Sequence, residues 1–381
     1  MKLKKIQYWS TVHDDQLELV DKTTVFLQGE FCLEGADKLW SPEYFIWKLG
    51  DSNPAGKGYM SLAVENGQVV GSISLTKKRL LINGKECLGG EIGDSYTSTA
   101  IKRRGRPSEL STIDPNPKSY KNKSIFGRLA SEVRSRAESD GVSIIYGTPN
   151  KYSHPGYIKN LDYLNLQDYV NKSYFRPTSK LLIKEYPALK KIHFLLRGLE
   201  LFSIAFQKFI YTNLLGRGIT FDTSLPDYDE INQLWTRTKP RRGFSLVRDA
   251  AYWKHRYVEH PLASYSFFSV RKNGCLIGLS VTRLFSSEKD KSSISVVEWM
   301  TDNDVKFEYA LSLILDFYKN SGVDFYYLWA QESSKEAIAA LKNLFILKRN
   351  APIIIANTKD AQFMRSSSKD INFYLGSSDA I

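Results

Sequence analysis

Four features recur in the same order about 207 residues apart, and a repeat of that length restricts this chain to two copies of one fold. Asn66-Gly67 and Asn273-Gly274 each sit between apolar runs and read as hairpin turns, because both residue types accept positive φ. Gly71 and Gly278 follow at the same 207-residue offset, and Pro54 and Pro261 precede them at it. Just upstream lie two aromatic, basic helices, Tyr44–Leu49 and Tyr252–Tyr257, offset by 208. One match would be chance; four in order indicate a duplication. The length of 381 residues agrees, since single cores stop growing near ~250–300 residues.

Periodicity and capping signals place the elements. In the first copy, helices are expected over 14–28 and from Ser41-Pro42-Glu43, where a good N-cap precedes a proline at the first helical position. Strands follow at 59–65, 69–81 and 86–97, then a helix over 124–139 with Ile125, Leu129 and Val133 four apart. A buried strand (142–147), a short helix (155–161) and a strand (173–185) complete it. Residues 188–216, rich in Leu and Phe, read as a connecting helix packed between the two domains; the alternative is an interfacial helix on a membrane. The second copy repeats the pattern, with strands at 264–270, 276–284, 292–300 and 323–330, helices at 305–320 and 334–344, and a last strand at 352–357. The expected class is α/β (α+β), a mixed twisted sheet flanked by helices in each copy. The expected division is 1–186, a connecting helix 187–217, and 218–381.

The formal net charge of +12 suits polyanionic partners: nucleic acid, anionic lipid, nucleotide sugar or coenzyme A. A basic soluble surface with no specific partner fits equally. Three cysteines provide neither a disulfide framework nor metal-ligand spacing, so no metal is expected and a reducing, cytoplasmic location is. There is no signal-peptide pattern and no apolar run long enough to span a bilayer.

The chemistry concentrates between Glu91 and Asn150, which read as strand, basic loop, helix, strand. The loop ends Lys121-Asn122-Lys123-Ser124-Ile125-Phe126 at the start of the amphipathic helix. Amides at a helix start lack intrahelical acceptors and carry partial positive charge, which suits a pyrophosphate. Lys121 and Lys123 add full charges, and Lys102–Arg106 lie upstream.

In this order the motifs resemble the GNAT superfamily of N-acetyltransferases, and within it a bacterial tandem branch. The resemblance rests on Trp47 to Asn53-Pro54, Gly93-Asp94, the basic loop, the Ile125-Phe126 helix start, Tyr146-Gly147-Thr148-Pro149-Asn150, Pro155-Gly156-Tyr157 and Leu161-Asp162-Tyr163. It covers about 180 residues of the first copy and, more weakly, the second. Lys121 stands where the family has Arg or Gln. Ser124 and Phe126 stand where it has Gly and a small residue.

The resemblance implies tandem GNAT-like domains, acetyl-CoA or another acyl-CoA as co-substrate, and direct attack of an amine or hydroxyl on the thioester. The cofactor would meet Thr97, Ser98, Lys121, Asn122, Lys123, Ser124, Ile125, Phe126 and Asn150. Asp94 is the candidate base with Glu91 second; Tyr157 is the candidate acid with Tyr152 second. The bland alternatives are a turn role for Asp94, a core role for Tyr157 and a solvated loop at Lys102–Arg106. The equivalent loop of the second copy, Thr301-Asp302-Asn303-Asp304, is short and acidic and would repel a pyrophosphate, so that copy is expected to be degenerate. The expected function is N- or O-acyl transfer to a small acceptor, with an amino sugar or surface-polysaccharide precursor as the guess. Nucleic acid is not an expected partner, and peripheral membrane contact stays open. The alternatives are a Fem-like aminoacyl-tRNA-dependent peptidyltransferase, which would bind RNA, and a non-catalytic GNAT-like binding protein.

Overall fold

The computed structural model describes residues 5–9, 17–31, 40–98, 124–166, 171–215, 218–240, 243–286, 291–302, 307–331, 334–350, 354–358 and 371–372. In chain order the strands of the first half are β1 (Lys5–Trp9), β2 (Tyr59–Glu65), β3 (Gln68–Ile82), β4 (Lys85–Thr97), β5 (Ile144–Gly147), β6 (Leu164–Asn165) and β7 (Asn171–Pro177). Those of the second are β8 (Ile219–Asp222), β9 (Phe244–Leu246), β10 (Ser266–Lys272), β11 (Cys275–Ser286), β12 (Ser292–Thr301), β13 (Phe325–Gln331), β14 (Ile346–Asn350), β15 (Ile355–Thr358) and β16 (Ile371–Asn372). The helices are α1 (Leu17–Phe31), α2 (Pro42–Leu49), α3 (Ile125–Ser139), α4 (His154–Asn160), α5 (Ser179–Glu185), α6 (His193–Leu215), α7 (Tyr228–Thr238), α8 (Ala250–Trp253), α9 (Phe307–Tyr318) and α10 (Lys335–Lys342). A π turn (Lys254–Val258) extends α8, and a 3-10 turn (Pro187–Ile192) precedes α6.

Two mixed sheets result. The first runs β1-β2-β3-β4-β5-β15-β6, with β9 on the far end of β3 and β16 on β9; the second runs β14-β7-β13-β12-β11-β10-β8. Both Asn-Gly pairs form the expected turns: Asn66 and Gly67 have φ of 52° and 78°, Asn273 and Gly274 of 51° and 82°. The halves also exchange a strand. β7 runs antiparallel between β13 and β14 in the second sheet, and β15 runs antiparallel between β5 and β6 in the first. Sheet membership therefore departs from chain order at these two strands.

Each sheet is covered by amphipathic helices. Leu129, Ala130, Val133 and Ala137 of α3 pack on Ile73, Leu75, Ile92, Ile145 and, from the exchanged strand, Ile355. Val20, Leu27, Phe45 and Leu49 of α1 and α2 pack with Met60, Leu62 and Val69 in a separate cluster. In the second half, Leu311, Ile314 and Leu315 of α9 meet Ile294, Val296, Tyr326 and Leu328.

The halves also meet through the duplicated aromatic helices. Trp47 and His255, equivalent positions of the repeat, stack with centroids 4.8 Å apart and planes 9° from parallel. Trp47 Nε1 donates to the His255 carbonyl at 2.9 Å, and His255 Nε2 donates to the Trp47 carbonyl at 3.1 Å.

Two expectations need correction. The expected strand over 173–185 breaks at Thr178, whose hydroxyl caps α5 at the Leu181 amide, so 171–177 is strand and 179–185 helix. The connecting helix does not pack between the domains. Its buried residue Ile204 belongs to the core of the second half alone, and most of its large apolar side chains face outward.

Ile355 is fully buried in the first-half core although it comes from the end of the chain. Ile355→Ala should lower stability by roughly 2–4 kcal/mol, read as a lower urea midpoint. An unchanged midpoint would mean that β15 does not complete the first core.

Candidate functional site

β4 and β5 are parallel neighbours over only three pairs, Gly89 with Ile144, Gly90 with Ile145 and Glu91 with Tyr146. β5 ends at Gly147 while β4 continues to Thr97 alongside β3. The two strands therefore separate past Glu91. A bulge sharpens the parting: Ser74 pairs with Gly93 and Ser72 with Tyr96, so Asp94 and Ser95 stand opposite Ile73 alone. Asp94 takes a φ of +46°, uncommon for a residue with a side chain. Ser72 holds it there by donating to the Asp94 carbonyl at 2.9 Å.

A cavity of about 470 Å³ opens where the strands part. Its walls are Ser95, Tyr96 and Thr97 of β4, Phe126 from the first turn of α3, Asn150, Tyr152, Ser153 and Gly156 around α4, and Glu30 of α1. Gly156 is required there, because a Cβ would lie 2.7 Å from the Phe126 ring. The structure thus brings Thr97, Phe126, Asn150 and Tyr152 together, as the sequence reading expects of cofactor contacts and the second acid. The Ser124 hydroxyl accepts the Gly127 amide at 3.0 Å, and the Ser124 carbonyl accepts the Arg128 amide at 3.0 Å. The amides of Ile125 and Phe126 stay as first-turn donors without an intrahelical acceptor. Ile125 turns its side chain onto the sheet at Gly71. Lys121, Asn122, Lys123 and Lys102–Arg106 lie outside the described residues.

Asn150 folds its own loop, its Oδ1 accepting the amides of Tyr152 at 2.9 Å and Ser153 at 3.0 Å. The Ser98 amide donates to the Val70 carbonyl at 2.9 Å, which ties the end of β4 to β3. Tyr152 is 80% exposed at the cavity edge. Tyr157 lies beneath the wall, buried between Phe126 and Tyr163 in edge-on ring contacts of 5.0 and 5.1 Å. Its hydroxyl is 2.5 Å from Ser95 Oγ. Burial pushes the phenol well above its ordinary range; the Ser95 hydrogen bond opposes that rise and the nearby Asp94 charge adds to it. Ser95 is therefore the side chain connecting the cavity to the candidate acid. Sequence reasoning passed over it, although it follows Gly93-Asp94 directly.

Asp94 points toward α2. Its Oδ2 accepts Lys48 Nζ at 2.8 Å and Ser74 Oγ at 2.5 Å, and its Oδ1 accepts Trp40 Nε1 at 3.4 Å. Lys48 is almost wholly buried, so the pair neutralises a charge the interior could not otherwise hold. Glu91 is buried further down the strand, 3.4 Å from Lys78 Nζ. Lys48, Ser74 and Trp40 were not singled out from sequence. Among the described residues no cluster of His, Cys, Asp and Glu could hold a metal ion.

No family model matches the sequence, and no curated protein sequence matches it. Solved structures do. An Enterococcus faecalis protein described as a probable N-acyltransferase aligns over 93% of this chain and 72% of its own, with a TM-score of 0.56 at 11% identity. A GCN5-related N-acetyltransferase from Anabaena variabilis aligns over 93% and 73%, with a TM-score of 0.55 at 10% identity. Saccharomyces cerevisiae N-myristoyltransferase with bound myristoyl-CoA aligns over 97% and 87%, with a TM-score of 0.56 at 13% identity. The fold is the GNAT fold, in tandem.

The two GNAT copies differ at the bulge. In the second, the register runs unbroken from Gly278–Thr301 to Val281–Glu298 and shifts one step further on, between Val281 and Thr282, so that its bulge falls at Val297. β12 and β13 stop pairing at Val296–Leu328, and beyond that point buried Trp299 packs against Phe307 of α9, ring centroids 4.8 Å apart and planes tilted by 57°. Asp302 is tied to Arg237 at 3.1 Å; Asn303 and Asp304 lie outside the described residues.

Removing the Asp94 carboxylate leaves Lys48 buried without its ion-pair partner. Asp94→Ala should cost about 3–5 kcal/mol, and Lys48→Met added to it should restore part of the loss; additive losses in denaturant titrations would contradict the pairing. The buried phenols provide a second check. Burial raises Tyr157, Tyr163, Tyr252 and Tyr257, with Glu298 adding to the last two. The fold holds them neutral while the unfolded chain ionises near pH ~10, so stability should fall as pH rises above ~10. In an ultraviolet titration these phenols should ionise only with cooperative alkaline unfolding; ionisation before unfolding would contradict their burial.

Proposed function

We propose that this chain is an acyl-CoA-dependent N- or O-acyltransferase whose first GNAT copy holds the cofactor in the cavity between β4 and β5. The observation that carries this reading is the opened β4–β5 edge, with a cavity in it at the start of α3. The bound thioester would supply the activated acyl group. The first-turn amides of α3, with Lys121 and Lys123 from the preceding loop, would face the pyrophosphate. Asn150 and the Thr97 end of β4 would flank the pantetheine arm, with Tyr152 over its outer side. Ser95 Oγ, held by the buried Tyr157 phenol, would hydrogen-bond the departing thiolate, and the proton shed by the attacking amine or hydroxyl would pass to that thiolate. Asp94, turned toward α2 and ion-paired with Lys48, would not serve as the base expected from sequence; it would fix the bulge that presents Ser95 to the cavity.

The acceptor is a small molecule with an amine or hydroxyl, and an amino sugar or other surface-polysaccharide precursor agrees with the basic charge of the chain. The similar structures, an N-acetyltransferase and an N-myristoyltransferase, support acyl transfer in general and leave the chain length of the acyl group open. The second copy would stabilise the first and wall the acceptor side.

Acetyl-CoA should raise the melting temperature of the wild-type chain, and Lys121→Glu should remove most of that shift without changing the unliganded Tm. Tyr157→Phe should slow thiol release from acetyl-CoA about 10²-fold with affinity unchanged. No shift with acetyl-CoA would remove the reading: co-purifying RNA would then favour the aminoacyl-tRNA donor, and its absence a binding protein.

A further inference from the structure

The outer face of α6 is apolar along its length. Leu195, Leu199, Phe202, Phe206 and Phe209 follow one another at alternating spacings of four and three, which aligns them in one stripe about 21 Å long at 1.5 Å per residue. Each is between 52% and 67% exposed, and Phe194 beside them is 92% exposed. Phe202 and Phe206 stack on each other, 5.9 Å apart. An exposed apolar strip of this size marks a contact surface.

No charge interrupts it. The three charged residues of α6 are turned to the body of the protein. Arg197 pairs with Glu200 at 3.0 Å and donates to Asn320, Glu200 also accepts from Ser179 at 2.6 Å, and Lys208 pairs with Asp316 at 2.7 Å. Apart from half-exposed Lys208, the charges that reach solvent lie at the start of the helix and are basic. Lys184, Lys190 and Lys191 are exposed there beside exposed Tyr186 and Ile192, and nearby Glu185 is paired with Lys291. A cleft of about 280 Å³ at the same end takes Lys180, His193, Arg197 and Lys319 along its walls with the carboxylate of Glu200, and Lys180 lies 3.6 Å from buried Asp324.

We infer that α6 is a membrane-surface helix, which lies flat with its Phe and Leu stripe in the interface of an anionic lipid bilayer and its basic start against the headgroups. An uncharged aromatic and aliphatic face next to lysines is the composition of such helices. Among the described residues no helix is long and apolar enough to cross a membrane, so α6 would lie on the bilayer. The four-three spacing would also suit a second copy of this chain, but two molecules each carrying +12 repel one another, whereas an anionic surface attracts both. The inference stands apart from acyl transfer, because none of these residues lines the β4–β5 cavity.

The test is co-sedimentation of the full chain with vesicles of phosphatidylcholine alone and of phosphatidylcholine with phosphatidylglycerol. The wild type should bind the mixed vesicles, at least about tenfold more weakly when phosphatidylglycerol is left out. Phe202→Glu with Phe206→Glu, both on the exposed face, should lower binding at least about tenfold while the far-ultraviolet spectrum and Tm stay unchanged. Lys190→Glu with Lys191→Glu should lower it on the mixed vesicles and remove its salt dependence. No binding to either vesicle, or binding unaffected by the Phe202 and Phe206 changes, would overturn the inference. So would a wild-type dimer in light scattering that those changes convert to a monomer.

Discussion

The edge of β5 is the constraint on which both halves rest. A four-residue strand with buried side chains must have its backbone groups paired on both sides. On one side β4 does this for three residues before bending away, and on the other the partner is β15, from the far end of the chain. The second sheet is completed reciprocally by β7. Neither copy therefore closes its own core, and the wall of the first beside β5 depends on residues more than 200 positions away. The stacked, mutually hydrogen-bonded Trp47 and His255 repeat this interdependence in side chains.

The parting of β4 from β5 is set by a local device within this frame. The bulge at Asp94–Ser95 turns neighbouring residues to different surroundings, Ser95 to the cavity and Tyr157, Asp94 to Lys48 and α2. In the second copy the bulge is displaced to Val297, and Trp299 and Phe307 pack where its strands stop pairing. One duplicated fold thus carries a cavity in one half and a packed core at the matching place in the other.

Much of this was legible in the sequence, because the signals were local. The Asn-Gly turns, the long strands β3 and β4, and the stripe of α3 all announce themselves by periodicity or turn chemistry. The strand exchange does not. Residues 171–177 and 355–358 are short segments that could pair in either sheet, and no local pattern says which neighbour they take. β9, three residues long, is too short for periodicity. At the site, Thr97, Phe126, Asn150 and Tyr152 fell on motifs, whereas Ser95 and Lys48 did not. A buried lysine inside an aromatic helix reads as an ordinary surface charge until the carboxylate 46 residues later is placed beside it. The outward face of α6 was placed second to inter-domain packing for the opposite reason, since a Leu- and Phe-rich helix ordinarily packs inside.

A crystal structure of the chain soaked with acetyl-CoA would test the central claim most directly. The account requires the pantetheine arm to lie between β4 and β5, its sulfur within hydrogen-bonding reach of Ser95, with the diphosphate at the first turn of α3. Side chains filling that gap, or a nucleotide bound in the second copy beside Trp299 and Phe307, would contradict it.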